Sequence, residues 1–256
     1  MKTKQFMFIA FILFMVSCSP FLVYAATSPE QQYEIGLKYE KQQDYHQARE
    51  WYEKAAAQGN ADAQYSLAVM YGKGDGVTKD DHQAKEWLEK AAAQGYAAAQ
   101  HNLGVAYAKG YGVTQDYQQA REWFQKAAAQ GDAIAQGALG VMYLKGDGVT
   151  QDYRQAKEWF EKAALQGYAK AQYDLGLAYV KGAGVTQDYH QAKEWFGKAA
   201  AQGDAYAQFA LGKMYADGVG VQQDRHQAKE WLGKACDNKF QKACDRYKAL
   251  DHQDNP

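Results

Sequence analysis

The sequence predicts an all-α protein, an α/α solenoid of stacked helix hairpins. Three observations support this prediction. All six tryptophans recur at intervals of 36 residues, and a fixed period in this range is typical of stacked supersecondary units. Within each period, apolar residues recur at the 3.6-residue spacing of helices with one buried face. Only 3 prolines occur among 256 residues, so long helices are not interrupted. The tryptophans are Trp51, Trp87, Trp123, Trp159, Trp195 and Trp231.

The N-terminal segment differs in composition from the rest of the chain. Lys2 and Lys4 precede an uninterrupted apolar run over residues 6–16. This run is too short to span a bilayer but has the length of a signal-peptide core. Val23-Tyr24-Ala25 is a small-residue cleavage site, so residues 1–25 are predicted to be a signal peptide.

A second processing route also fits this segment. Met15-Val16-Ser17-Cys18 resembles a bacterial lipobox with Met in place of the usual Leu, and Cys18 would then be lipidated. Both routes export the protein, to the periplasm or the medium in the first case and to the outer membrane as a lipoprotein in the second.

Residues 97–132 show the plan of one repeat. Ala99, Leu103 and Tyr107 form one apolar stripe of a first helix. Gly104 lies on the same side, and its missing side chain lets a second helix approach closely. The same position is occupied by Gly140, Gly176 and Gly212, and by Ala68 in the repeat at 61–96.

A glycine loop and a cap connect the two helices of this repeat. Gly110 and Gly112 permit positive φ angles where the first helix ends. Asp116 and Gln119 have the spacing of a capping box, so we expect the Asp to accept from free amides and the Gln to bond back. Gly131 is predicted to end the second helix.

The second helix carries the large side chains Trp123 and Phe124. A single hairpin cannot bury both, so we expect stacking against the next copy to bury them. Stability should then be a sum of interactions between neighbouring repeats.

The repeat reads A-x-A-Q-x-x-L-G-x-x-Y-x-x-G-x-G-V-x-x-D-x-x-Q-A-x-E-W-F-x-K-A-A-x-Q-G. This pattern resembles the Sel-one-like repeat (SLR), a relative of the tetratricopeptide repeat, over about residues 29–240. The resemblance implies a right-handed superhelix. The first copy lacks the G-x-G-V loop and has tetratricopeptide-like spacing. The resulting boundaries are an atypical repeat at 29–60, repeats at 61–96, 97–132, 133–168, 169–204 and 205–240, and a capping helix and tail at 241–256.

The family resemblance also extends to the cysteines. Cys236 and Cys244 have the spacing found in cysteine-rich secreted SLR proteins, where such a pair forms a disulfide. Two cysteines in an exported chain fit that interpretation. The bridge would hold the capping helix on the stack.

The sequence does not predict an enzyme. Some cysteine-rich relatives are described as weak penicillin-binding or β-lactam-hydrolysing proteins, but neither Ser28 nor Ser66 begins an S-x-x-K motif. Four histidines share one repeat position, and neighbouring repeats lie too far apart for them to share a metal ion. We therefore expect no catalytic residues, metal or cofactor. These histidines are His46, His82, His190 and His226.

A partner-binding groove is predicted on the first helices, which line the concave face in related repeats. Variable aromatic positions there lie beside a row of lysines, a combination that suits an extended or helical peptide with an acidic group. The lysines also suit the negative ends of the helix dipoles, and the sequence leaves both interpretations open. The candidates are Tyr33, Tyr65, Lys73, His101, Lys109, Lys145, Tyr173, Lys181, Tyr206, Phe209 and Lys213.

The predicted function is an exported scaffold that binds a protein or peptide in this groove. The alternative is a cell-wall-linked protein that binds penicillin or a peptidoglycan peptide, with at most trace β-lactamase activity. The formal net charge of -1 argues against nucleic acid as a partner. A monomer without a membrane span is expected, apart from the lipid anchor that Cys18 would carry.

Overall fold

A computed structural model describes residues 27–254, so the predicted signal segment and Cys18 lie outside the described residues. Within this range the chain forms 13 α-helices and no β-strand. The helices are α1 (Pro29–Lys41), α2 (Tyr45–Ala57), α3 (Ala61–Lys73), α4 (Asp81–Ala93), α5 (Ala97–Lys109), α6 (Tyr117–Ala129), α7 (Ala133–Lys145), α8 (Tyr153–Leu165), α9 (Ala169–Lys181), α10 (Tyr189–Ala201), α11 (Ala205–Asp217), α12 (Arg225–Asp237) and α13 (Gln241–Asp254).

Consecutive helices pair into hairpins, and the hairpins stack in chain order. Each odd-numbered helix up to α11 packs on the even-numbered helix that follows it, and that even-numbered helix also packs on the first helix of the next repeat. The helix α13 packs on α12. The predicted all-α solenoid is therefore confirmed. None of the described helices combines the length and hydrophobicity needed to cross a bilayer.

The predicted cap of the second helix is present, but the reciprocal half of the capping box is not. The carboxylate of Asp116 accepts from the backbone amides of Gln118 and Gln119 at 2.9 and 3.1 Å. The amide of Asp116 instead donates to the carbonyl of Tyr107 at 2.9 Å. Because that amide is already bonded, Gln119 has no donor to reach back to, and this part of the prediction was wrong.

The predicted close approach of the two helices within a repeat is confirmed. A Cβ atom added to Gly104 would lie 2.5 Å from Cδ1 of Phe124, and one added to Gly140 would lie 2.5 Å from Cδ1 of Phe160. The ring therefore occupies the space that a side chain on the first helix would need. In the repeat at 61–96, Ala68 and Leu88 share one core. A leucine alone does not create that space, because a Cβ atom added to Gly212 would lie 2.7 Å from Cγ of Leu232.

The second glycine of each loop makes a contact between repeats that the sequence analysis did not predict. Gly112 has a φ of 66°, and a Cβ atom there would overlap the carbonyl group of Asp81 at the start of α4. Gly184 lies equally close to the carbonyl of Tyr153 at the start of α8. This glycine thus lets each loop dock on the second helix of the preceding repeat.

The tryptophans are less buried than predicted, and they face the preceding repeat. Trp51 and Trp195 are buried, whereas the other four are only partly buried. Trp87 packs on the core between α2 and α3, and Trp159 packs on the core between α6 and α7. Each ring is also covered by a lysine three residues later, with Nζ 3.8–4.3 Å from a ring centroid.

The residue after each tryptophan supplies the buried large side chain. Phe124, Phe160 and Phe196 are almost fully buried against the glycine of their own first helix. The expectation that the next repeat would help to bury both residues is therefore correct for the Phe and wrong for the Trp. The hairpin and the following first helix enclose the Phe, while the Trp caps the preceding junction.

A buried glutamine joins neighbouring repeats at every junction. Nε2 of Gln100 donates to the carbonyl of Ala92 in the preceding repeat at 3.3 Å, and its Oε1 accepts from Gln130 at 2.8 Å. This arrangement satisfies a polar group that would otherwise destabilise the core. Equivalent bonds to the preceding repeat are made by Gln64, Gln136, Gln172 and Gln208. The buried Gln32 of the first repeat donates to Thr27 instead.

The C-terminal end of the stack is covered by α13. Cys236 and Cys244 form a disulfide with their Cα atoms 4.7 Å apart, which ties α12 to α13. Arg246 on α13 forms an ion pair with Asp217 at the end of α11, at 2.9 Å. Asp217 occupies the repeat position that holds a lysine in the four preceding first helices, so the lysine row ends where the capping helix begins.

Candidate functional site

The predicted groove divides into separate clefts at junctions between repeats. We call the cleft between repeats 61–96 and 97–132 the N-terminal cleft, and its volume is about 600 Å³. The middle cleft, between repeats 133–168 and 169–204, has a volume of about 50 Å³. The C-terminal cleft, between repeats 169–204 and 205–240, has a volume of about 400 Å³.

The N-terminal cleft contains two of the predicted groove residues, Tyr65 and Lys73. Its apolar walls include Val69 and Val105, which lie on successive first helices. Asn102 donates a hydrogen bond to the hydroxyl of Tyr65 at 3.2 Å, which places one polar pair in the cleft.

The C-terminal cleft contains four predicted residues, Tyr173, Tyr206, Phe209 and Lys213. The ring centroids of Tyr173 and Tyr206 are 5.9 Å apart. Phe240, the last residue before α13, contacts the rings of both Tyr206 and Phe209, with centroids 4.9 and 5.1 Å away. Burial raises the pKa of Tyr173, so its hydroxyl stays protonated and can donate or accept.

The middle cleft is nearly filled, although Lys181 lies on its edge as predicted. Tyr153, Phe160 and Leu177 occupy the space. Burial raises the pKa of Asp174 in its wall, and an ion pair with Lys170 at 3.2 Å opposes that shift. A cleft of this size holds about one water molecule rather than a side chain.

The remaining predicted groove residues line none of these three clefts. Tyr33 is half-buried against Tyr52, with ring centroids 5.5 Å apart. Lys109 and Lys145 are exposed at the ends of α5 and α7, where they complement the helix dipoles. The structure thus separates these positions from the two large clefts.

His101, the last of the predicted residues, is a half-buried packing residue. Its ring stacks on Phe124 at 5.7 Å, and Nδ1 lies 3.7 Å from the carboxylate of Asp132, which caps α7. Burial lowers the pKa of His101, and the negative charge of Asp132 opposes that shift. The residue at this position differs between repeats. It packs against the residue that caps the first helix of the following repeat, and that capping residue also differs between repeats. In the next repeat this position is Gly137, whose missing side chain makes room for Tyr168.

The four histidines that share one position are exposed, in agreement with the predicted solvated surface. Within the part of the chain that the structure describes, no group of three or more His, Cys, Asp or Glu residues could hold a metal ion.

The sequence analysis missed the cleft walls that come from second helices and loops. Lys79, Asp81 and Lys85 line the N-terminal cleft together with Gly72 and Tyr111. The available signal was a set of departures from the repeat. Asp81 stands where four of the other second helices begin with Tyr45, Tyr117, Tyr153 or Tyr189, and Lys79 stands where later repeats have a glutamine.

Comparison with known proteins identifies the repeat. A model of the Sel1 repeat matches residues 32–60, 61–96, 97–132, 133–168, 169–204 and 205–240. The chain belongs to the Sel1 repeat family. No curated protein matches the chain.

Solved structures of Sel1 repeat proteins share the fold. The structure of c5321, a protective antigen present in uropathogenic Escherichia coli strains, has 38% sequence identity and a TM-score of 0.79. The match covers 87% of this chain and 48% of the antigen, so the chain spans about half of the antigen's length. A Sel1 repeat protein from Oxalobacter formigenes has 34% identity and a TM-score of 0.79, with 86% of this chain and 87% of that chain covered.

Proposed function

We propose that this protein is an exported interaction scaffold that binds a protein or peptide through the clefts between its first helices. Sel1 repeats are protein-interaction modules, and this chain belongs to that family. The proposal includes no catalytic step, because no serine, threonine, cysteine or histidine among the described residues lines either large cleft.

Export is supported by three features. The first 25 residues have the pattern of a signal segment, with Cys18 as the alternative lipidation site. Cys236 and Cys244 form a disulfide, a bond that persists in oxidising compartments. The similar E. coli protein is described as a protective antigen.

The observation that supports partner binding most strongly is the aromatic C-terminal cleft. Tyr206 is 56% exposed at its rim, although it stacks on two other rings. Val219, across the cleft, is also exposed. Exposed aromatic groups that are held rigidly by their neighbours are typical anchors of interfaces.

The test is affinity capture by purified protein from a periplasmic or culture-supernatant fraction, followed by measurement of affinity for each captured protein. We expect Tyr206→Ala to weaken binding by at least about 2 kcal/mol, as expected for an aromatic hot spot. Leu165→Ala is the matched control, because Leu165 is 72% exposed and lines none of the three clefts. Equal effects of the two substitutions would reject the cleft as the binding surface.

A second assay separates this function from the penicillin-binding alternative. We expect labelled penicillin to leave the pure protein unmodified. Saturable covalent labelling would reject the scaffold as the complete description of the protein.

A further inference from the structure

The N-terminal and middle clefts are the same site in two different repeats, yet their volumes are about 600 and 50 Å³. Their lining residues correspond at intervals of 72 positions, or two repeats. Larger side chains close the middle cleft: Leu144 replaces Gly72, Tyr153 replaces Asp81, Phe160 replaces Leu88 and Leu177 replaces Val105. The chain therefore has an open cleft at one junction and fills the equivalent space at another.

The open cleft has the properties of a side-chain receptor. Val69, Ala84 and Val105 give it apolar walls from three helices, α3, α4 and α5. The hydroxyl of Tyr65 accepts from Asn102, so its own hydrogen remains available to a ligand, as does the carbonyl oxygen of the Asn102 amide. Such a site can take an apolar side chain and bond to the backbone beside it.

The charges around this cleft favour an anionic partner. Three lysines and one carboxylate line it, which gives a formal charge of 3 − 1 = +2 in a chain whose net charge is -1. Lys85 is paired with Glu89 at 2.7 Å, and Lys79 is held more loosely by Asp81 at 3.6 Å. Lys73 is exposed and forms no ion pair within residues 27–251. Lys73 and Lys79 can therefore bind a carboxylate of the partner at the rim of the cleft.

We infer that the N-terminal cleft binds an acidic peptide segment, with an aliphatic or aromatic side chain between α3, α4 and α5 and a carboxylate at Lys73 and Lys79. This inference rests on the proposed scaffold function and assigns its partner chemistry. The two large clefts then differ in the charge of the partner that they favour, because one lysine and one carboxylate, Lys213 and Asp217, line the C-terminal cleft and cancel each other.

The test closes the cleft with the residues that the protein itself uses at the middle junction. The variant Gly72→Leu/Val105→Leu reproduces Leu144 and Leu177. A Cβ atom on Gly72 meets only the Cβ of Ala84, at 3.9 Å, which is an ordinary van der Waals contact, so the first carbon of the new side chain fits without moving the backbone. Replacing a helical glycine by leucine also raises helix propensity, so we expect the variant to remain folded. A thermal melt checks that point.

The probe is a phage-displayed library of random peptides, selected on the purified wild-type protein. We expect the selected peptides to be enriched in Asp and Glu beside an aliphatic or aromatic residue. We expect Gly72→Leu/Val105→Leu, and separately Lys73→Glu/Lys79→Glu, each to reduce affinity for a selected synthetic peptide at least tenfold. The control Leu165→Ala should leave that affinity within twofold, and added salt should weaken binding to wild type.

The possible failures are distinguishable. Peptides without acidic enrichment, or peptides that bind the filled variant as tightly as wild type, would overturn the inference. If those peptides respond to Tyr206→Ala instead, the scaffold function survives and only the assignment to this cleft fails. A library that yields no binding peptide would count against both proposals.

Discussion

A substitution at Gly140 tests whether the fit between glycine and ring determines how closely the two helices of a repeat approach. A Cβ atom there would lie 2.5 and 2.6 Å from Cδ1 and Cε1 of Phe160, whereas ordinary van der Waals contacts are 3.4–4 Å. The ring would have to move by about 1 Å, yet Phe160 is only 2% exposed and is enclosed by packed neighbours. An overlap below 3.0 Å with an enclosed ring should cost about 2–3 kcal/mol, the upper part of the range for overpacking, against about 1 kcal/mol gained in helix propensity, so Gly140→Ala should destabilise the protein by roughly 1–2 kcal/mol.

The repeat at 61–96 supplies the compensating change. There Ala68 and Leu88 share one core, so Phe160→Leu should reduce the overlap created by Gly140→Ala. The remaining contact should resemble the 2.7 Å one that a Cβ atom on Gly212 would make with Cγ of Leu232. The double variant should be more stable than the sum of the single effects predicts, with a coupling of about 1 kcal/mol. Urea denaturation, followed by the circular dichroism of the helices, gives the free energy of unfolding of the wild type, the two single variants and the double variant. A neutral or stabilising Gly140→Ala, or additive effects of the two changes, would refute the argument.

Three further predictions follow from features of the stack. Gln136→Ala should cost about 1–3 kcal/mol of unfolding free energy, because it leaves the groups that Gln136 bonds without partners; calorimetry that shows no change would contradict this. Replacing Cys236 and Cys244 by serine should cost roughly 2–3 kcal/mol and raise amide exchange in α13 before other helices, whereas uniform exchange would argue against a capping role. Burial lowers the pKa of His101 against the opposing charge of Asp132, so the unfolded chain binds a proton more readily than the folded one. The unfolding free energy should then fall as the pH drops below about 6.5, and His101→Tyr should lose less stability over this range than wild type; identical pH profiles would contradict the assignment.

Local signals explain why much of the fold could be predicted. Asp116 caps α6 through bonds to residues two and three positions later, and Gly131 has a φ of 90° just beyond the end of that helix. The space beside Gly104 could also be predicted, because its helical position faces the second helix. All of these depend on residues close together in one repeat, where spacing determines geometry.

Features that join different repeats were harder to predict. Gln100 occupies a conspicuous repeat position, but the carbonyl of Ala92 to which it donates belongs to the preceding repeat, and only the stacking places the two within hydrogen-bonding distance. The amide of Asp116 is taken by Tyr107 across the glycine loop, which no local pattern indicates. The N-terminal cleft is open because the side chains of Gly72 and Asp81 are smaller than those at the equivalent positions of the middle cleft. A search for exposed aromatic residues on first helices does not detect such small side chains.

The junction contacts have a consequence for the distance between the two large clefts. The N-terminal cleft is complete within repeats 61–96 and 97–132, and the C-terminal cleft within 169–204 and 205–240. The repeat at 133–168 contributes to neither, yet it uses the same glutamine and glycine-loop connections as its neighbours. Duplicating that one unit would move the clefts apart by one step of the stack and leave both intact. For a partner long enough to occupy both clefts, the number of repeats between them therefore determines how far apart its two binding segments must lie.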